Sequence, residues 1–299
     1  FKIDENKVAG LKLFLGSSTG NMLVNKKEVL KEIFKTSKLV ISVHCEDELT
    51  IKNNLNHYLK IYGKNIPFKF HPKIRSSEAC FKSSSDAVKL ALETGARLHV
   101  FHLSTANETK LFSKIPLEEK QITSEVCTHH LWFSDKDYKN KGSKIKWNPA
   151  IKTEEDRSKL WEALNDDLID VYATDHSPHT INEKNLPYTE SPSGAPLVQH
   201  GLLAMLDSVN KGKITLEKFV EKASHNPAKI FKIKKRGFLK KNFYADMVLI
   251  DLEGKTNVTK NNIMYKCGWS PFEGYIFNSS VIKTWVNGKL LYDKGKIIE

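Results

Sequence analysis

The chain has 299 residues, 40% of them hydrophobic and 27% charged, the balance of a folded globular protein and not of a disordered or fibrous one. No apolar run approaches the ~18–20 residues of a membrane span, so no membrane partner is expected. The formal charge of +12 invites a nucleic-acid partner, but only Arg75, Arg97, Arg157 and Arg236 are arginines and the other 43 basic residues are scattered lysines. Bidentate recognition of phosphates and base edges favours arginine, so no nucleic acid is expected. Cys45, Cys80, Cys127 and Cys267 form no C-x-x-C pair, which points to a reducing, cytoplasmic compartment and away from a structural cysteine–zinc site.

From the amino end, short runs rich in Val, Ile, Leu or Phe finish repeatedly in residues able to do chemistry. Residues 11–15 run into Gly16-Ser17-Ser18-Thr19-Gly20-Asn21, and 39–43 into His44-Cys45-Glu46-Asp47. Residues 98–101 run into His102-Leu103-Ser104-Thr105, 122–127 into Thr128-His129-His130, and 170–173 into Thr174-Asp175-His176. Between them, 27–34, 85–93 and 154–164 carry apolar residues on one helical stripe. Strand alternating with helix implies an α/β fold with a parallel sheet. Reactive groups at strand after strand imply a partial (β/α) barrel, whose site is built at the carboxyl ends. An open doubly wound sheet would use a single crevice instead.

Beyond Asp175 a Pro/Gly/Ser-rich stretch, 177–196, is long enough for a lid or substrate-binding segment. Helices are expected at 197–209 and 216–223, and Asn226-Pro227 reads as a cap followed by proline at the first helical position. From Ala245 the pattern turns to β, at 247–252, 281–286 and 290–292, with Asn287-Gly288 as a two-residue hairpin turn. The expected division is an incomplete barrel over 1–244 and a small β appendage over 245–299.

Lys12, His44, His102 and Asp175 all fall at strand ends. Two imidazoles and a carboxylate converging on one face suit a divalent ion, most often zinc. Lys12 lies among Leu11, Leu13, Phe14 and Leu15, where an ordinary ammonium would be costly to bury. A lysine so placed often does chemistry.

Here the sequence resembles a known family. Gly10-Leu-Lys-Leu-Phe-Leu-Gly16, His44-Cys-Glu-Asp47, His102-Leu-Ser-Thr105, Lys146-Trp-Asn-Pro-Ala150, Ala173-Thr-Asp-His-Ser-Pro-His179 and Asn226-Pro-Ala228 follow the order of the amidohydrolase superfamily. Within it, the chain looks like a dihydroorotase of the long, hydantoinase-like bacterial type, over essentially its whole length. The resemblance implies the last five strands of an eight-stranded barrel, and two Zn²⁺ bridged by Lys12 as its carbamate. It implies His44 and His102 as ligands of one metal. Asp175 would be the ligand of the other and the proton shuttle. Asn148 and His179 would be substrate contacts, and Ser193-Gly194 a segment whose backbone touches the pyrimidine ring. The activity implied is the interconversion of N-carbamoyl-L-aspartate and L-dihydroorotate in pyrimidine synthesis, in a homodimer or higher homo-oligomer. His129 and His130 are read as structural.

One departure stands out. The family opens its barrel with His-x-His followed by an arginine that holds the substrate carboxylate, and no His-x-His exists in this sequence. Five strands cannot close such a barrel. With the first residue Phe1, and ~30 residues per strand–helix unit, about 100 or more residues of the family's barrel are expected to lie outside this sequence. This stretch alone is then expected to be inactive. A hydantoinase would share Lys12, His44, His102 and Asp175. A non-catalytic scaffold would have no reason to keep all four.

Overall fold

The computed structural model describes residues 4, 7–16, 24 and 26–298; the polar stretch expected at 17–21 lies outside them. Strands β1 (Gly10–Phe14), β2 (Val40–His44), β3 (Leu98–Val100), β4 (Ile122–Cys127) and β5 (Val171–Ala173) lie side by side in chain order, all parallel. Parallel neighbours need a crossover connection; α-helices supply it except between β3 and β4, where the 3-10 turns Glu108–Leu111 and Leu117–Glu119 do. The architecture is α/β and TIM-barrel-like, as the alternation of apolar runs and helical stripes predicts, and a C-terminal antiparallel sheet follows it.

The pleat of the strands sorts their residues onto two faces. Leu13, Ile41, Val43, Leu98, Val100 and Val126 share one buried cluster with Phe34, Val88, Leu160 and Leu206 of the flanking helices. Each such burial contributes roughly 1.5–3 kcal/mol. The opposite face is polar. Lys12, Ser42, His99 and Thr123 are register neighbours along one row, and His44 and Glu125 follow one pleat further on. That face, at its carboxyl end, is where the site forms.

The helix Ser77–Thr94 begins eight residues before the stripe at 85–93, started by Ser76, whose hydroxyl accepts from Ala79 N. The helix Glu48–Tyr62 was not expected. It starts at Asp47, which accepts from Thr50 N at 3.0 Å, and packs Ile51, Leu55, Tyr58 and Leu59 in a separate cluster. The expectation that Asn226 caps a new helix is not met. Leu216–Val220 passes through a π turn, Glu221–His225, directly into Asn226–Ile230. The Asn226 amide instead donates to Asp170 O at 2.8 Å, where it ties this helix to the start of β5.

Met247–Asp251, Ser280–Val286, Lys289–Asp293 and Lys296–Ile297 form the antiparallel sheet. Asn287 and Gly288 both have positive φ, 54° and 81°, as a type I′ turn requires. Val258, Trp269, Phe272 and Phe277 from the same part of the chain are buried with Trp147, Leu197 and Leu203 in one cluster, so this region shares a core with the loops above the sheet. Among the described residues no helix is long and apolar enough to cross a membrane.

Candidate active site

His44 ends β2 and His102 follows β3, and their rings meet: His44 Nδ1 lies 3.1 Å from His102 Nε2, with both residues buried. Two nitrogens on one tetrahedral zinc, at Zn–N ~2.0–2.1 Å, would stand roughly 3.3 Å apart, so this pair fits two corners of such a site. Burial, then the neighbouring His44, His130 and Lys12, push the His102 pKa well below the usual imidazole range. The ring is therefore neutral, the form that binds a metal. Its Nδ1 is buried without a partner.

Glu46 lies on the other side of His44. Its carboxylate, fully buried, touches the Arg75 guanidinium and stands 3.0 Å from His44 Nε2, close in distance but off the line of a good hydrogen bond. Burial alone would raise the Glu46 pKa, but Arg75 and His44 outweigh it and hold the carboxyl far below the ordinary range. Gly16, just past β1, presses against the Glu46 carbonyl so closely that a Cβ would stand 1.7 Å from its oxygen. Only glycine fits there.

Lys12 departs from expectation. It is exposed, because β1 is an edge strand among the described residues. Its ammonium lies over the rings of Phe14, at 4.7 Å, and Phe101, at 5.3 Å, on the same face as His44. Asp175, just after β5, has its pKa raised to about 6, first by burial and then by Glu125, with Lys12 and His44 pulling the other way. Lys12, His44, His102 and Asp175 thus sit at one end of the sheet and feel one another's charge. Among the described residues, however, no three His, Cys, Asp or Glu side chains stand close enough together to hold a metal ion. The structure brings the two imidazoles within 3.1 Å of each other and leaves Asp175 apart from them.

Both His102 and Asp175 have positive φ, 40° and 45°. Non-glycine residues rarely adopt this region, and such strain persists where the surroundings impose it, commonly at functional sites.

The expected substrate contacts lie on two segments knitted together. Asn148, half-buried, has an unpartnered buried Oδ1. Trp147 before it stacks on His129, centroids 4.2 Å apart, and Pro149 after it accepts from His130 Nε2 at 3.1 Å. The structural reading of His129 and His130 acquires content here: they bracket Asn148. Gly194 N donates to Lys146 O at 2.8 Å, and His179 Nε2 donates to Ser193 O at 3.1 Å. The stretch 177–196 is therefore tied down along its length, with a short helix, Ile181–Lys184, capped by Thr180.

The sequence reading passed over two residues. Glu46 sat within a quoted motif, but only contact with Arg75 and His44 gives it a part. Glu125 lies on the polar face, 3.3 Å from His99 and near enough to Asp175 to raise its pKa. A charged Glu125 inside a run read as an apolar strand was the available signal.

The Amidohydrolase family matches residues 22–291. This chain belongs to the amidohydrolase family. A dihydroorotase of Pyrococcus furiosus is 33% identical over 287 residues, 96% of this chain and 62% of the relative. A dihydroorotase of Methanosarcina acetivorans is 32% identical over 273 residues, 88% of this chain and 57% of the relative. The chain thus spans about three-fifths of the length of these curated relatives. Among solved structures, an L-hydantoinase (dihydropyrimidinase) from Arthrobacter aurescens superposes with a TM-score of 0.89 at 27% identity, over 97% of this chain and 66% of that one.

Proposed function

We propose that this amidohydrolase chain is the part of a dihydroorotase that carries the later strands of its barrel, acting on a cyclic amide in both directions between L-dihydroorotate and N-carbamoyl-L-aspartate. The observation that carries the reading is the His44 Nδ1–His102 Nε2 pair at 3.1 Å, on the same sheet end as Asp175 and Lys12. The similarity to proteins named dihydroorotase favours this ring over other cyclic amides. We propose the division at residues 244 and 245, and the cytoplasm as compartment, on the same footing.

His44 and His102 would hold one divalent ion, and Asp175, with Lys12 once carbamylated by carbon dioxide, would help hold a second. When bound, the metals supply Lewis-acid polarisation of the amide carbonyl and make water a stronger acid. The chain's own groups do the rest. Asp175 takes a proton from the attacking water as the new C–O bond forms. It then delivers that proton to the ring nitrogen as the C–N bond breaks, and synthesis reverses each transfer. Asn148, His179 and the Ser193-Gly194 backbone orient the ring. Glu46 and Arg75 keep His44 turned toward the site.

The test is to assay the whole protein with L-dihydroorotate and with a 5-substituted hydantoin, and to measure bound metal. Higher kcat/KM for dihydroorotate with metal present supports the reading. Preference for the hydantoin replaces the substrate, and fewer than one metal per chain without turnover favours a non-catalytic scaffold.

A further inference from the structure

The 191–194 segment, read above as a substrate contact, is held by buried lysine side chains that the chemistry above does not use. Lys184 is fully buried, and its Nζ donates to Pro192 O at 2.7 Å and Gly194 O at 2.9 Å, with Lys146 O at 3.5 Å. Lys146, also buried, donates to Tyr188 O at 2.7 Å and to Ser191 O. With His179 on Ser193 O, four consecutive carbonyls, 191 to 194, are each held by a side-chain nitrogen.

No carboxylate offsets these charges: burial, then Lys146, lowers the Lys184 pKa to about 7, and burial, then Arg75, lowers that of Lys146 to about 8, so each side chain relies on the carbonyls it meets to stay charged. Desolvating two neighbouring cations is costly, and an apolar side chain could close the same space. What an ammonium adds is direction.

The C=O and N–H of a planar peptide unit point opposite ways. The units whose oxygens turn to Lys184 therefore turn Ser193 N–H and Ala195 N–H away from it. Among the described residues neither N–H has a backbone partner. A cation at the oxygen end polarises the unit and strengthens its N–H as a donor. Gly194, at φ 118°, lets this backbone lie against Ser177, two residues past Asp175, where a Cβ would stand 2.5 Å from Ser177 O.

We propose that Lys184 is a positioning residue, whose ammonium fixes and polarises the 192–195 backbone so that Ser193 N–H and Ala195 N–H are presented to a carboxylate or ring-carbonyl oxygen of the substrate. The identity of that ligand rests on the function proposed above; the clamp does not.

The whole protein and its Lys184→Met variant, equal in length but uncharged, are compared by hydrogen exchange without ligand and by steady-state kinetics with L-dihydroorotate. Exchange of the Ser191 and Gly194 amides, which donate to Pro187 O and Lys146 O, should accelerate by at least ~10-fold while β1–β5 keep their rates, and KM should rise by at least ~10-fold with kcat within about threefold. Unchanged exchange at Ser191 and Gly194 overturns the clamp, and so does acceleration spread evenly over the chain. Lys184→Arg, which keeps a cation, is the second variant should Met not fold: a KM nearer wild type than that of Lys184→Gln supports the role of charge, and equal values overturn it. A wild type with no turnover of dihydroorotate would sink the proposed function, while the exchange comparison would still judge the clamp.

Discussion

Buried lysines sit at both ends of the sheet, and the two ends treat them differently. At the amino end, Lys120 meets Asp170 at 2.7 Å and Lys222 meets Asp167 at 2.8 Å, each an ammonium beside a carboxylate. At the carboxyl end, among the described residues, Lys184 meets backbone oxygens and Lys146 meets backbone oxygens and the ring of Tyr188, neither with a carboxylate. Paired charges in the first region staple strand starts to helices, since Asp170 also accepts from Ser124 N and Lys222 donates to Ile169 O. Unpaired charges in the second orient peptide groups around a site. The contrast follows the division of labour in barrel folds, with stability at the amino face and chemistry at the carboxyl face.

Substitutions can break this contrast. The largest effect belongs to the carboxyl end: Asp175→Ala in the whole protein should lower kcat by ~10²–10⁴-fold, the usual contribution of a proton-transfer group, with the melting temperature preserved. Turnover like that of wild type would remove Asp175 from the mechanism. At the amino end, Lys120→Met leaves Asp170 buried and unpaired, and denaturant unfolding should show a loss of about 3–5 kcal/mol with KM untouched. A raised KM without destabilisation would erase the distinction between the ends.

The pH dependence of stability sharpens it further. His71 is buried beside Lys146 and Arg75, and burial first, then these cations, push its pKa well below the usual value. Burial pushes His200 down to about 4. Both rings are neutral in the fold, while the unfolded chain takes up protons below pH ~6.5, so their contribution is complete above that pH. It is lost as pH falls from ~6.5 toward 4, at up to about 1.4 kcal/mol per unit for each ring. Urea titrations at pH 7 and pH 5 would show it, and equal stabilities would mean that these rings are not held neutral. The smallest effect is expected of Lys64, whose exposed ammonium meets Glu190 at 3.1 Å on the outside of the same loop. Lys64→Ala should leave melting temperature and KM unchanged, because exposed ion pairs contribute little. A change in KM there would show that surface charge, too, shapes the segment.

Much of this was legible in the order of residues. All five strands fall within two residues of the apolar runs that announce them, because a strand buried on its helix-facing side must be apolar at alternate positions. His44 and His102 were recognisable because polar residues that end apolar runs on successive parallel strands share one rim. The helix Glu48–Tyr62 was missed although Ile51, Leu55, Tyr58 and Leu59 recur at helical spacing, since its start lies inside a motif read for its chemistry. The apolar neighbours of Lys12 suggested a buried side chain, yet it is exposed among the described residues, because alternate residues of a strand face opposite ways and β1 is an edge strand there.

Alternation and strand-end chemistry, then, are properties of the chain itself, since period and residue type survive without any knowledge of partners. What only the folded molecule decided were contacts between residues far apart in sequence. Glu46 turns out to be caught between Arg75 and His44, Glu125 to lie near Asp175, and Lys184 to sit under Pro192 and Gly194. A buried charge is stable only where specific partners meet it, and those partners are chosen by packing in three dimensions.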